Sequence, residues 1–282
     1  MKRRKNITRK LRNDWVKKFE FDNRKSENYS SFIKCQDLIS SGAKNRTPDF
    51  LNIGQDHDFL SMNEHFFYLH LLRDPKITWI KEQYPLLPIQ RAISVAKALE
   101  VRYPTYPYSD SVEVVMTVDF YCGTVFDYDV TYSIKDAIAI NELPNKTKLK
   151  QANFKNKQLI ERTFFESQAK ECKWFLISSE SLKTTYSKNL QRLAPFIILN
   201  ATLSLYLTTW LICFKSYLEI NQKLSLATLL QITAKDMQLE YLDVIAMFNH
   251  ALWHRLVRVD LNKNLQFEKK VGEFNLEIEN VS

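Results

Sequence analysis

The chain is poor in cysteine and glycine, with four of each among 282 residues. Cys35, Cys122, Cys172 and Cys213 are widely spaced and form no Cys-x-x-Cys pair, which argues against a disulfide framework and a zinc site. Cys122 and Cys172 lie in apolar surroundings, where a free thiol packs as a small hydrophobe. There is no repeat and no low-complexity segment. The basic N-terminus lacks the apolar core of a signal peptide, so a reducing, bacterial cytoplasm is the expected compartment. From Leu193 to Phe214 no residue is charged, a length that could cross a bilayer. Asn200, Thr202, Ser204, Thr208 and Thr209 interrupt this run and Pro195 sits near its start, so buried helices are expected rather than a membrane span.

What is present is an ordinary globular balance, 45% hydrophobic and 26% charged, on a chain long enough for one large domain or two smaller ones. The net charge of +8 is unevenly placed. Between Lys2 and Lys25 eleven Lys and Arg face three acids, so this stretch alone matches the excess of the whole chain. Such an arm neutralises phosphates and releases counterions, which marks Lys2, Arg3, Arg4 and Lys5 for DNA contact; the plain alternative is a solubilising tail. Between Lys146 and Lys157 five lysines occur without an acid. Lys146, Lys148 and Lys150 there suit a clamp on the DNA backbone, and equally a solvated loop.

Hydrophobic spacing predicts a basic arm over 1–50, then a helix from Leu60 to Leu72 closed by Pro75. A strand follows from Ile77 to Tyr84, then strands over about 112–121 and 127–134 with a turn at Gly123-Thr124. A helix from about Phe154 to Cys172 and a strand from Trp174 to Ser178 complete the first part, 51–185. Helix, three strands, helix, strand is an α/β order whose sheet carries helices on its faces. Beyond about 185 the chain turns mostly helical. Helices over Leu226–Ile232 and Leu239–Leu256 precede Val257–Leu261, a turn at 262–264 and Leu265–Phe267, which is a winged-helix pattern over 186–282. Asn249, His250, His254 and Arg255 on the second helix suit DNA, whereas Glu240 and Asp243 suit a protein partner.

Three charges stand out. Asp119 interrupts an apolar strand, where an unpaired carboxylate is costly and a cation removes the cost. Lys135 ends the next strand, and across a hairpin the two can meet. Glu64 lies on the upstream helix. Two carboxylates and a lysine suit metal-dependent phosphodiester hydrolysis, in which magnesium is held by one or two carboxylates and the ammonium stabilises charge on the phosphate. Read by themselves, they fit a structural ion pair and a solvated glutamate as well.

The segments Ser61-Met62-Asn63-Glu64, Ile80-Lys81-Glu82-Gln83-Tyr84-Pro85-Leu86-Leu87-Pro88, Met116-Thr117-Val118-Asp119-Phe120, Ser133-Ile134-Lys135, Glu161-Arg162 and Trp174-Phe175-Leu176-Ile177 together form a pattern. Over roughly residues 40–195 the chain resembles the TnsA family, the endonuclease subunits of heteromeric cut-and-paste transposases, within the restriction-endonuclease-like superfamily. The resemblance implies a restriction-endonuclease-like domain with Glu64, Asp119 and Lys135 as catalytic triad. It implies that Glu64 and Asp119 bind magnesium, as two ions replaceable by manganese, with Glu161 near the second metal position and Asp74 at another acidic position. Ser133 stands where the family commonly has glutamine, and its hydroxyl can still hold water on a metal. The implied task is nicking the 5′ ends of a transposon in double-stranded DNA. The implied partners are a TnsB-like transposase of the DDE/integrase type and a TnsC-like ATPase regulator. A stand-alone restriction or repair nuclease and a non-catalytic winged-helix adaptor are the competing readings.

Overall fold

The computed structural model describes residues 7–25, 28–37, 45–49, 56–107, 109, 111–135 and 147–278. The chain divides into two compact units: Met1–Asp49 with Gly54–Leu182, and Phe50–Ile53 with Lys183–Ser282.

In the first unit, helix α1 (Arg9–Lys25) precedes a small antiparallel pair, β1 (Asn45–Pro48) with β2 (Asp56–Phe59). Helix α2 (Met62–Arg73) leads into β3 (Ile77–Pro85), and α3 (Ile89–Ala98) follows. Then come β4 (Thr117–Thr124), β5 (Asp129–Lys135), helix α4 (Lys148–Glu166) and β6 (Cys172–Ser178). The sheet order is β3-β4-β5-β6; the first three strands are antiparallel, and β6 runs parallel to β5. A parallel neighbour needs a crossover, and α4 lies within it. The fold class is thus mixed α/β around a mixed sheet.

The residue pattern accounts for the layering. Alternate residues of β4 point to opposite faces: Phe120 meets Phe59 and Phe67, with Phe67 on α2, while Tyr121 meets Phe165 of α4. Leu86, Ala92, Ala96, Met116, Ile160, Phe164 and Phe165 form a buried cluster that locks α3 and α4 to the sheet. Burying each such large side chain contributes about 1.5–3 kcal/mol.

The expected elements shift in several places. Residues 45–48, expected within a basic arm, form a strand paired with β2. The arm itself is anchored: Arg12 is buried and its Nη1 lies 2.8 Å from Glu113 Oε2. Gly123 is a strand residue, not a turn: it pairs with Trp79, whose indole occupies the space a Cβ would take. The turn comes later, around Phe126 and Asp127. Helix α4 starts at Lys148, six positions before the expected Phe154, with the Thr147 hydroxyl accepting from the Lys150 N–H as an N-cap.

The second unit holds α5 (Thr185–Leu193), α6 (Ala201–Ile220), α7 (Leu226–Asp236) and α8 (Tyr241–Trp253), then β7 (Val257–Arg258) and β8 (Glu277–Ile278). The uncharged run splits between the end of α5, a short 3-10 turn at Ala194–Phe196 and α6. On α6 Trp210 and Phe214 stack, and Phe248 of α8 meets both edge-on. Among the described residues no helix is long and apolar enough to cross a membrane. Ser225 caps α7, its hydroxyl accepting from the Thr228 N–H. The trailing hairpin differs, because β7 pairs with 277–278 and not with 265–267. Residues 267–269 instead accept from the first N–H groups of α7, and Phe267 packs edge-on against Phe248.

Candidate active site

Glu64 sits in the first turn of α2, where Ser61 caps the helix and accepts from the Glu64 N–H at 3.2 Å. The glutamate answers as an acceptor: its Oε1 takes the Ser61 hydroxyl at 3.1 Å and its Oε2 takes the Leu60 N–H at 3.0 Å. This reciprocal cap fixes a buried carboxylate. Asp119, mid-strand on β4, accepts the Ile134 N–H on Oδ2, and the Lys135 Nζ lies 3.7 Å from the same oxygen. The expected meeting of the two hairpin charges is present.

Gln83 links the two acids. Its Nε2 donates to Glu64 Oε2 at 3.1 Å and to Asp119 Oδ1 at 3.4 Å, and its Oε1 accepts from the Thr117 hydroxyl at 3.2 Å. Glu161, fully inside on α4, accepts from the Ser133 hydroxyl at 2.7 Å. Four elements therefore bring three carboxylates, one amide, one hydroxyl and one ammonium together: α2, β3 and α4, with the β4–β5 hairpin.

The electrostatics follow from burial. Glu64 is raised to about 7, first by desolvation and then by the Asp119 charge, against the hydrogen bonds from Leu60, Ser61 and Gln83. Glu161 also rises to about 7, through desolvation that outweighs the pull of Lys135 and the Ser133 hydroxyl. Burial would depress the Lys135 ammonium, yet Asp119, then Glu161 and Glu64, overcome it and hold Lys135 above its ordinary range. One cation is thus stabilised by three surrounding acids, the reverse of an isolated ion pair.

A second buried cluster lies behind β3. His57 places Nδ1 3.0 Å from Glu82 Oε2 and Nε2 3.3 Å from Asp49 Oδ2. Burial would lower this imidazole, but the hydrogen bonds and charges of Asp49 and Glu82 carry it to about 9, so it is an imidazolium at neutral pH. The cluster braces Glu82, the residue next to Gln83, and the Tyr29 hydroxyl donates to the Glu82 carbonyl at 3.0 Å. Sequence reading assigned Gln83 and Glu82 no role of their own. The run Lys81-Glu82-Gln83 inside the strand Ile77–Pro85 was the available signal.

Other expected residues lie elsewhere. Asp74 caps the far end of α2 and accepts from the Lys76 N–H, roughly 15 Å of helix away from Glu64, so the structure does not bring it to the group. Lys2, Arg3, Arg4, Lys5 and Lys146, and the side chain of Lys148, fall outside the described residues. Lys150 is exposed in the first turn of α4, not in a loop. In the second unit His250 and His254 do not form a free reading face: their rings hydrogen-bond the Phe196 and Ile197 carbonyls at 2.9 and 2.8 Å, and Asn249 is buried.

Among the described residues no group of three or more His, Cys, Asp or Glu is gathered closely enough to hold a metal by protein ligands alone. Magnesium asks for less, one or two carboxylates with the remaining positions filled by water and phosphate. Glu64 and Asp119 fit that demand: both are oxygen donors, and both touch the same amide nitrogen. The chain matches no protein-family model and has no significant match among curated proteins.

Proposed function

We propose that this chain is a magnesium-dependent DNA endonuclease of the restriction-endonuclease-like kind, working as the TnsA-like subunit that nicks the 5′ ends of a transposon. The observation that carries the reading is that Glu64 and Asp119 share one amide, Gln83, with the Lys135 ammonium 3.7 Å from Asp119 and held above its ordinary range by the charges of Asp119, Glu161 and Glu64. The element order supports it too: a helix, a strand, the further helix α3, an antiparallel pair of strands, a crossover helix and a parallel strand, with the acids on α2, β4 and α4 and the lysine at the end of β5.

Glu64 and Asp119 would hold the metal, with Glu161 beside a second position. Magnesium, when bound, stabilises the charge that builds on the phosphate and eases loss of a proton from water. The chain's own residues do the rest. Lys135 places an ammonium beside Asp119, where it offsets negative charge on the scissile phosphate. Glu161, buried and bonded by the Ser133 hydroxyl, adds a third carboxylate to the lining of the site. Ser133 orients Glu161, so the family's glutamine position is here occupied by a hydroxyl that works through a helix carboxylate. In this reading the basic arm and Lys150 hold the DNA backbone, and the helical second unit docks the TnsB-like transposase or the TnsC-like ATPase.

The deciding experiment is end cleavage in a reconstituted reaction with the partner transposase. Asp119→Ala is expected to lower 5′-strand nicking by at least about a hundredfold, because it removes a ligand of the ion that would stabilise transition-state charge, while 3′-strand cutting by the partner persists. Undiminished nicking would exclude this centre as the nuclease. Cleavage of plain duplex without partners would favour a stand-alone restriction or repair nuclease.

A further inference from the structure

We infer that Gln83 is the positioning residue of this centre, the group that holds Glu64 and Asp119 at the spacing a divalent ion requires; this rests on the metal-dependent reading above. The geometry is specific. The strand register sets Gln83 opposite Asp119, between the pairs Glu82↔Phe120 and Tyr84↔Val118. Gln83 is buried and has φ 46°, the left-handed region, which an L side chain occupies at a cost of about 1–2 kcal/mol. The surrounding structure holds it there: the Tyr29 hydroxyl bonds the preceding carbonyl, and the Asp49–His57–Glu82 cluster fixes the preceding side chain. Strain retained at one residue of a regular strand is expected where function needs the aim it provides.

The aim is at two acids. A carboxylate only accepts, so the amide must present its nitrogen to Glu64 and Asp119, and the Thr117 hydroxyl, donating to Oε1, fixes that orientation. One NH2 group thus supplies both of its hydrogens to two carboxylates that would otherwise repel. The hydrogen-bond count leaves room for an ion. Among the described residues, Glu64 Oε2 is engaged by Leu60 and Gln83, while Oε1 takes only the Ser61 hydroxyl and Asp119 Oδ1 only the Gln83 amide. Each carboxylate keeps an oxygen with a lone pair to spare. Groups of this kind, one step behind the ligands, typically set 10- to 100-fold in metal affinity.

The test is Mn2+ binding to the full chain by calorimetry, alongside the thermal midpoint without metal. Gln83→Met keeps the length of the side chain and removes the shared donor. It is expected to weaken Mn2+ by roughly 10- to 100-fold with the fold retained. Thr117→Val leaves Gln83 in place and frees its amide to turn, so a smaller weakening in the same direction is expected, and the double variant should bind no more weakly than Gln83→Met alone. A folded Gln83→Met with wild-type affinity overturns the inference, as do additive effects of the two substitutions. If Gln83→Met does not fold, Thr117→Val decides, and unchanged affinity there overturns it. The broader reading fails separately: it falls if the wild-type chain binds no Mn2+, and stands if Asp119→Ala abolishes binding whatever Gln83 does.

Discussion

Glu161 and Glu64 are buried carboxyls raised to about 7 from an ordinary 4.5, and both shifts start from desolvation. A raised carboxyl means that the folded chain keeps protons the unfolded chain has already lost. Between about 4.5 and about 7 the native state therefore binds more protons, and the metal-free protein loses stability as pH rises through that window. Glu161→Gln removes one of the two contributions. Its thermal midpoint is expected to fall less steeply with pH, and above neutrality its unfolding free energy should exceed that of wild type by up to about 3 kcal/mol, the equivalent of the shift, less whatever Lys135 loses. Thermal melts across the pH series check this; an unchanged slope would mean that Glu161 is ionised throughout. Metal affinity runs the other way, since ligands must be deprotonated, and should rise with pH through about 7.

At the scale of elements, the hairpin β4–β5 and its neighbour β3 hold the site, and Gly123 is where their packing is tightest. The Trp79 indole crosses that glycine, and Trp79 also meets Tyr121 edge-on at 5.0 Å. Gly123→Ala is expected to destabilise the first unit by about 1–3 kcal/mol through overpacking, read as a lowered urea midpoint with altered tryptophan fluorescence. Trp79→Val in the same chain should recover most of the loss. Full stability of the single variant would show that the indole has another resting place. The helices contribute by their ends: Ser61 caps α2 and at the same time holds Glu64, so one local motif both starts the helix and aims its acid.

At the scale of the molecule, the basic excess belongs to a segment that is part tail and part structure. Arg12 is buried against Glu113, Trp15 meets Tyr106 and Phe19 meets Phe32, so α1 is built into the first unit. Deleting residues 1–6 removes Lys2, Arg3, Arg4 and Lys5 while sparing those contacts. If these four reach phosphates, the slope of log affinity against log salt for duplex DNA should fall by up to about 3–4. A slope equal to that of the intact chain would assign the tail to solubility. The division into two compact units also has an expected consequence. A fragment spanning 183–282 should keep helical circular dichroism and unfold cooperatively, as a unit with its own core does.

The order of helices and strands was readable along the chain because period 3.6 and period 2 are local signals, and α2, β3, β5 and β6 lie close to where that reading placed them. Asp119 and Lys135 were legible as charges at an apolar strand and its neighbour, whereas Glu64 passed for a solvated helix residue until the resemblance singled it out. Contacts between distant segments were not. The pairing of 45–48 with 56–59, the strand partner of Val257 and the indole over Gly123 depend on which surfaces meet, and no local periodicity encodes that. The sequence alone determined which residues could do chemistry. Only the tertiary structure decided that Glu161 reaches Ser133, that Asp74 stays a helix length away, and that a strained glutamine stands between two acids. Chemistry is a property of side chains, whereas spacing on the scale of a few ångströms is set by packing across the whole unit.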